Sequence, residues 1–231
     1  DVDPRHRSIA AVFQQSLQRL STTEQNVFHS LSVFHSPMSR KAAEAVADAS
    51  PATLQTLVSR SLLHRTAAGE FQMHELIRQF ARERLAVSPE REETIRARHA
   101  AFYATFLAAK GPDLRKEERR QLQAIQACVE DVRAAWRWAG ARRQTRLLDE
   151  MVDCLFEFEH SDGRLAQAEA DFAFAAEALA PDPHADSTRI RILSHLAHIY
   201  NDFGDRQRSQ DTLDAAIELS NRQPEDAPYF A

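Results

Sequence analysis

The sequence predicts a mainly α-helical chain: a winged helix-turn-helix domain with one small β-hairpin, followed by an α-solenoid of tetratricopeptide-like helix pairs. Three observations carry that expectation. Only five of the 231 residues are glycine, while Ala, Leu, Glu, Gln and Arg, all strong helix formers, fill long stretches. Apolar residues recur at spacings of three and four along most of the chain, the period of a one-sided helix. Near residues 62–73 that period gives way once to short strand-like runs about a glycine turn.

The elements follow in order. Ile9, Val12, Phe13, Leu17 and Leu20 lay one apolar stripe on a first helix over 5–20. Ser21-Thr22-Thr23-Glu24 is a capping box, in which a serine hydroxyl and a glutamate carboxylate satisfy each other's backbone amides, so a second helix runs to about Phe34. Ser39 caps an Ala-rich helix over 40–49, and Pro51, suited to a first turn, opens another to about Arg60. The runs 62–66 and 70–73 form a hairpin, with Gly69 free to take a positive φ. Helical spacing returns from His74 to Leu85 through Leu76, Ile77, Phe80 and Ala81. Helices packed before a β-ribbon describe a winged helix-turn-helix domain, placed at 1–88.

Beyond Pro89 the strand signal ends. Helices are expected over 90–110 and 114–139, a connecting pair within 89–140, and then over 143–160 and from Gly163 to before Pro181. Residues 181–186 form a spacer before the last pair. In that pair Leu193, Leu196, Ala197, Tyr200, Gly204, Ser209, Leu213 and Ala216 fall at tetratricopeptide spacing, with small residues where two helices approach closely. Val152, Leu155, Phe156, Gly163, Ala168, Phe172 and Ala175 fit the same frame more loosely, with Phe156 and Glu159 at places where a small residue and an aromatic are usual. The repeat region spans 141–231. Each pair buries one side only, so pairs must stack, and the array is expected to continue in a longer parent.

Charge sorts the partners. Net charge is −5, yet residues 1–88 hold 10 basic against 8 acidic side chains and the remainder 19 against 26. The acidic half repels nucleic acid and suits a protein ligand. No apolar run approaches the roughly 20 residues of a membrane span, and the first residues lack a leader's basic and apolar regions, so the chain reads as cytoplasmic with no membrane partner. Cys128 and Cys154 stand alone in helical patterns and read as small core residues.

Enzyme chemistry finds no anchor. There is no phosphate-binding G-x-x-x-x-G-K-[ST] loop, no H-E-x-x-H and no nucleophile elbow. His195 and His198, with Asp202, suggest a metal site, but no third ligand stands at a characteristic spacing, so no metal is assigned. Glu157, Glu159 and Asp162 read as a solvated helix face. The run 115–120 holds both signs and reads as intrahelical pairing. Trp136 and Trp138 face different ways, one toward the core and the other partly exposed.

A series of ordered segments carries a family resemblance. Arg5-His6-Arg7-Ser8-Ile9, Leu31-Ser32-Val33-Phe34, Ala42-Ala43-Glu44-Ala45-Val46, Leu57 to Leu63 and Met73-His74-Glu75-Leu76-Ile77-Arg78-Gln79-Phe80-Ala81 resemble the winged-helix region of bacterial STAND signalling ATPases, relatives of the NB-ARC proteins. The resemblance spans about the first 110 residues. It implies an upstream nucleotide-binding domain in a parent protein, ADP or ATP as that parent's cofactor, and none in this segment. It also implies that His74, opening a helix as the histidine of an M-H-D-like motif, meets the ADP phosphate; Glu75 stands where eukaryotic members have aspartate. The function expected is a non-catalytic regulatory module that couples nucleotide state to a ligand-sensing array. The alternative is a DNA-binding regulator reading the major groove with residues 52–60 and using Arg60, Arg65, Arg78, Arg82 and Arg84 on phosphates.

Overall fold

The computed structural model describes residues 17–111, 118–161 and 163–222. Most of the helix expected over 5–20 therefore lies outside the described residues. The chain divides into two compact units. The first comprises the described residues up to Phe102 together with Ala127–Asp131; the second comprises Tyr103–Gln126 and Val132 onward.

In the first unit, α1 (Thr22–Ser30) begins at the capping box, where Glu24 N donates to Ser21 Oγ at 3.3 Å and Ser21 N to the Glu24 carboxylate at 2.8 Å. A 3-10 turn (Leu31–Val33) ends it. Next come α2 (Arg40–Ala47), capped by Ser39, and α3 (Pro51–Ser59), capped by Ser50 with Pro51 in its first turn. Asp48 closes α2 in the left-handed region at φ 53°. Phe28, Leu31, Ala43, Val46, Leu54 and Leu57 are buried and fill the space between these helices. Removing such apolar surface from water is the main stabilising term, about 25 cal/mol per Å².

The expected hairpin is present but short. β1 (His64–Arg65) pairs antiparallel with β2 (Phe71–Gln72), and Gly69 takes φ 81° in the turn. Met38 adds a bridge on the far side, donating to Phe71 O at 2.8 Å and accepting from Phe71 N at 2.9 Å. α4 (Glu75–Leu85) follows with Ile77, Ala81 and Leu85 inward. Then α5 (Pro89–Ala108) contributes Arg91, whose guanidinium holds Asn26 and Ser30 of α1. Helices preceding a three-segment ribbon make this a winged-helix arrangement.

The second unit is helical throughout its described residues. The single helix expected over 114–139 is two: α6 (Glu118–Gln126) and α7 (Val129–Ala141). The break at Ala127–Cys128 lets Cys128 O accept from Asp131 N at 3.0 Å and start α7 afresh. The array proper is α8 (Thr145–Ser161), α9 (Leu165–Leu179), α10 (Asp186–Asp202) and α11 (Arg206–Arg222). A 3-10 turn (Pro183–Ala185) lies within the expected spacer. α8 packs on both α9 and α10, α9 on α10, and α10 on α11, so each helix pair covers the open side of the one before it, as stacked repeats require.

Two glycines have different tasks. Gly140 permits close approach: a Cβ there would meet the Phe174 ring at 3.1 Å. Gly204, expected at a close helix crossing, has nothing within 4 Å of such a Cβ; its need is conformational, φ 75° between α10 and α11. Trp136 is fully buried, rests on Phe172 at 5.2 Å between centroids and donates to Asp171 O at 2.8 Å, while Trp138 is half-buried. Cys154 is core, its thiol pushed up to about 12 by burial and then by the charges of Asp153 and Glu157. Cys128 is half-buried rather than core.

Candidate functional site

The winged-helix unit holds a cleft lined by three imidazoles. About 290 Å³ in volume, it is lined by Phe34, His35, Ser36, Met38, His64, Gln72, Met73, His74, Glu75 and Arg78. Three elements build it: the segment after the first 3-10 turn, the hairpin, and the start of α4.

His74 occupies the position singled out in the sequence. It is the N-cap of α4 in extended conformation, exposed, with Nδ1 accepting from Leu76 N at 3.4 Å. A neutral imidazole whose Nδ1 accepts carries its proton on Nε2, so an N–H donor remains at the positive end of an 11-residue helix. Arg78 stands one turn along. Its Nε and Nη2 donate to the Glu75 carboxylate at 2.8 and 2.7 Å, and that hydrogen-bonded pairing holds the Glu75 carboxyl below its usual range. Arg78 Nη1 is buried with no partner among the described residues. Also in the lining, His64 Nε2 and Gln72 Oε1 are 3.2 Å apart. A neutral donor, a guanidinium donor without a partner and a helix N-terminus together suit an anion, phosphate included.

Below the cleft lies a group that sequence reading does not reveal. Asp131 is fully buried; its two oxygens accept from the backbone amides of His35 and Ser36 at 2.8 and 2.9 Å, and Oδ1 is 3.0 Å from His99 Nε2. Burial pushes its carboxyl up, but the hydrogen bonds of His35 and His99 and the charge of His99 outweigh it and hold the group well below the usual carboxylate range. Asp131 thus fixes the backbone that presents His35 to the cleft. Nearly a hundred residues separate the partners in sequence, so no local spacing signals the contact.

The cations expected on phosphates divide between α4, which carries Arg78, Arg82 and Arg84, and the separate positions of Arg60 and Arg65. Arg78 is bound to Glu75, Arg65 lies 4.9 Å over the Phe71 ring and Arg84 5.1 Å over Phe80. Arg82 and Arg84 are exposed on α4, and Arg60 closes α3.

In the second unit the tetratricopeptide signature divides. Leu193, Leu196, Ala197 and Ala216 are buried, Tyr200 is half-buried beneath the Arg208 guanidinium at 4.5 Å, and Ser209 Oγ donates to Ala197 O at 2.9 Å. Leu213 remains 39% exposed and Ile217 55%, giving α11 an apolar outer face. Glu159, expected on a solvated face with Glu157 and Asp162, is instead fully buried; Glu157 is exposed and Asp162 lies outside the described residues. Arg133 Nε and Nη2 donate to Glu159 Oε1 at 3.1 and 2.9 Å, while Oε2 has no partner. Burial pushes the Glu159 carboxyl up to about 7 against the lowering pull of Arg133. The aromatic usual at that place is replaced by an ion pair.

No helix among the described residues is long and apolar enough to cross a membrane. No curated protein is matched by the sequence. A solved structure, that of the signal transduction ATPase with numerous domains (STAND) protein with a tetratricopeptide repeat sensor from Pyrococcus horikoshii, aligns with 15% identity and a TM-score of 0.35 over 90% of this chain and 46% of that one. The chain therefore spans less than half of that protein's length. The family model of a winged helix-turn-helix domain matches residues 20–86, a stretch that starts just before the capping box of α1 and reaches the end of α4.

Proposed function

We propose that the chain is a non-catalytic regulatory and interaction module of a STAND-type signalling ATPase. In this reading the winged-helix unit senses the nucleotide held by an upstream nucleotide-binding domain, and the tetratricopeptide-like array takes a protein ligand. The supporting observation is the cleft at the start of α4, lined by His74 and Arg78 at a helix N-terminus. An ADP phosphate seated there would favour one arrangement of the parent protein, and a ligand on the array would favour another. Coupling then follows from differential contact with the two states.

The test is ADP retention by the parent protein. His74→Ala and Arg78→Ala are each expected to speed ADP release; unchanged release in both removes the sensing role. The second reading, a DNA-binding regulator, draws on the exposed side of α3, where Gln55 and Ser59 face solvent near Arg60. A low-salt gel shift with random duplex DNA decides it: retardation that weakens steeply with salt favours DNA, and its absence removes that reading.

A further inference from the structure

We infer that the array carries a binding site for a divalent transition metal of the zinc class, formed by His160, His198 and Asp202. The sequence places His198 and Asp202 four residues apart on α10, one turn above the other. What spacing cannot show is His160, in the last turn of α8, which supplies the third donor. His160 Nε2 lies 3.0 Å and His198 Nε2 3.7 Å from the same oxygen of Asp202. The three donor atoms lie within 4.8 Å of one another, and the two imidazoles meet edge to face with centroids 5.6 Å apart. Ligand atoms about 2.0–2.1 Å from a tetrahedral zinc lie roughly 3.3 Å apart, so only small side-chain rotations separate this set from coordination.

Three features select the ligand class. Two imidazoles and one carboxylate are the donors of zinc and its first-row neighbours, whereas calcium and magnesium take oxygen ligands. The C-terminal turns of α8 and α10 meet here, and both helix ends carry partial negative charge that favours a cation. All three side chains are open to solvent, so the ion can enter and keeps at least one coordination position for water or a fourth ligand. Phe156 supports the rings from one side, its centroid 5.6 Å from His160 and 5.4 Å from His198.

Bound metal would tie α8 to α10, the leading helices of successive pairs, and so stiffen the step from one repeat to the next. Calorimetric titration of the chain with zinc is expected to show one site, insensitive to excess magnesium or calcium. His160→Gln and His198→Gln should each weaken binding more than about tenfold, while His184→Gln, a histidine outside the cluster, should leave it unchanged. These are surface substitutions, and circular dichroism checks that each variant folds. Zinc should also raise the melting temperature of the wild-type chain and not that of His160→Gln. Absence of a zinc isotherm, or equal affinity and stoichiometry in the two cluster variants and the wild type, would overturn the assignment and leave the three residues as a hydrogen-bonded cross-helix contact.

Discussion

Asp131 in the first unit and Glu159 in the second are both fully buried, and the two carboxylates behave in opposite ways. Asp131 in the winged-helix unit accepts from two backbone amides and stands against His99, and it is held strongly acidic. Glu159 in the helical array has Arg133 on one oxygen and nothing on the other, and is pushed up to about 7. Desolvation acts upward on both. The donors aimed at the oxygens and the charges beside them, Asp171 next to Glu159 among them, decide the sign, so burial alone says little about whether an acid is charged.

The sharpest break of this comparison is Asp131→Ala. It strands the His35 and Ser36 amides in the interior, at a cost of about 3 kcal/mol or more to the first unit. Urea unfolding should show a lowered midpoint for that unit; an unchanged one would mean that the loop carrying His35 holds itself. The array offers the second break. Arg133→Met leaves Glu159 without its donor, yet protonation offers an escape, so the loss should be largest at high pH and shrink toward pH 5, as denaturation at the two pH values would reveal.

Acid and base should also separate the units. Glu159 has a folded pKa raised from 4.5 to about 7, so its contribution is complete below pH 4.5 and is lost as pH rises through 7, by up to ~3 kcal/mol. Asp131 is depressed below 3.8, so its contribution is present above that value and lost as pH falls further. His29, lowered from 6.5 to about 4 by burial and then by Arg91 and Arg84, adds to the same side: its contribution is present above pH 6.5 and fades as pH falls through 4. Unfolding curves between pH 4 and 8 should therefore show the array gaining and the winged helix losing stability as acid is added. Glu159→Gln should flatten the array's slope alone.

The smallest effects concern local devices. Ser39→Ala removes the acceptor for Ala42 N and should cost about 1 kcal/mol. Gly204→Ala forces a Cβ into φ 75° and should cost a similar ~1 kcal/mol in thermal denaturation, despite the open space around it.

These differences match what was legible beforehand. The capping box at Ser21, the cap at Ser39, Pro51 in the first turn of α3 and the turn at Gly69 are local chemistry, and each stands where the residues indicate. The hairpin keeps only two residues a strand, and Met38, remote in sequence, pairs with the other edge of Phe71. His74 was legible as the residue opening α4, but the cleft around it needs His35 and His64 from other elements. Asp131 and His160 carry no local signal, and Glu159 reads as solvated, for one reason. A charged or polar side chain in a helical pattern looks solvated until the helix that supplies its partner is known, and for all three that partner lies more than 20 residues away.

The deep placement of Cys154 has a practical side. A thiol raised to about 12 is almost wholly protonated at neutral pH and sealed from reagents. In a Cys128→Ser background, its alkylation rate becomes a clock for transient opening of the helices around it. Any occupant that clamps those helices should announce itself as slowed labelling, without a spectroscopic tag of any kind.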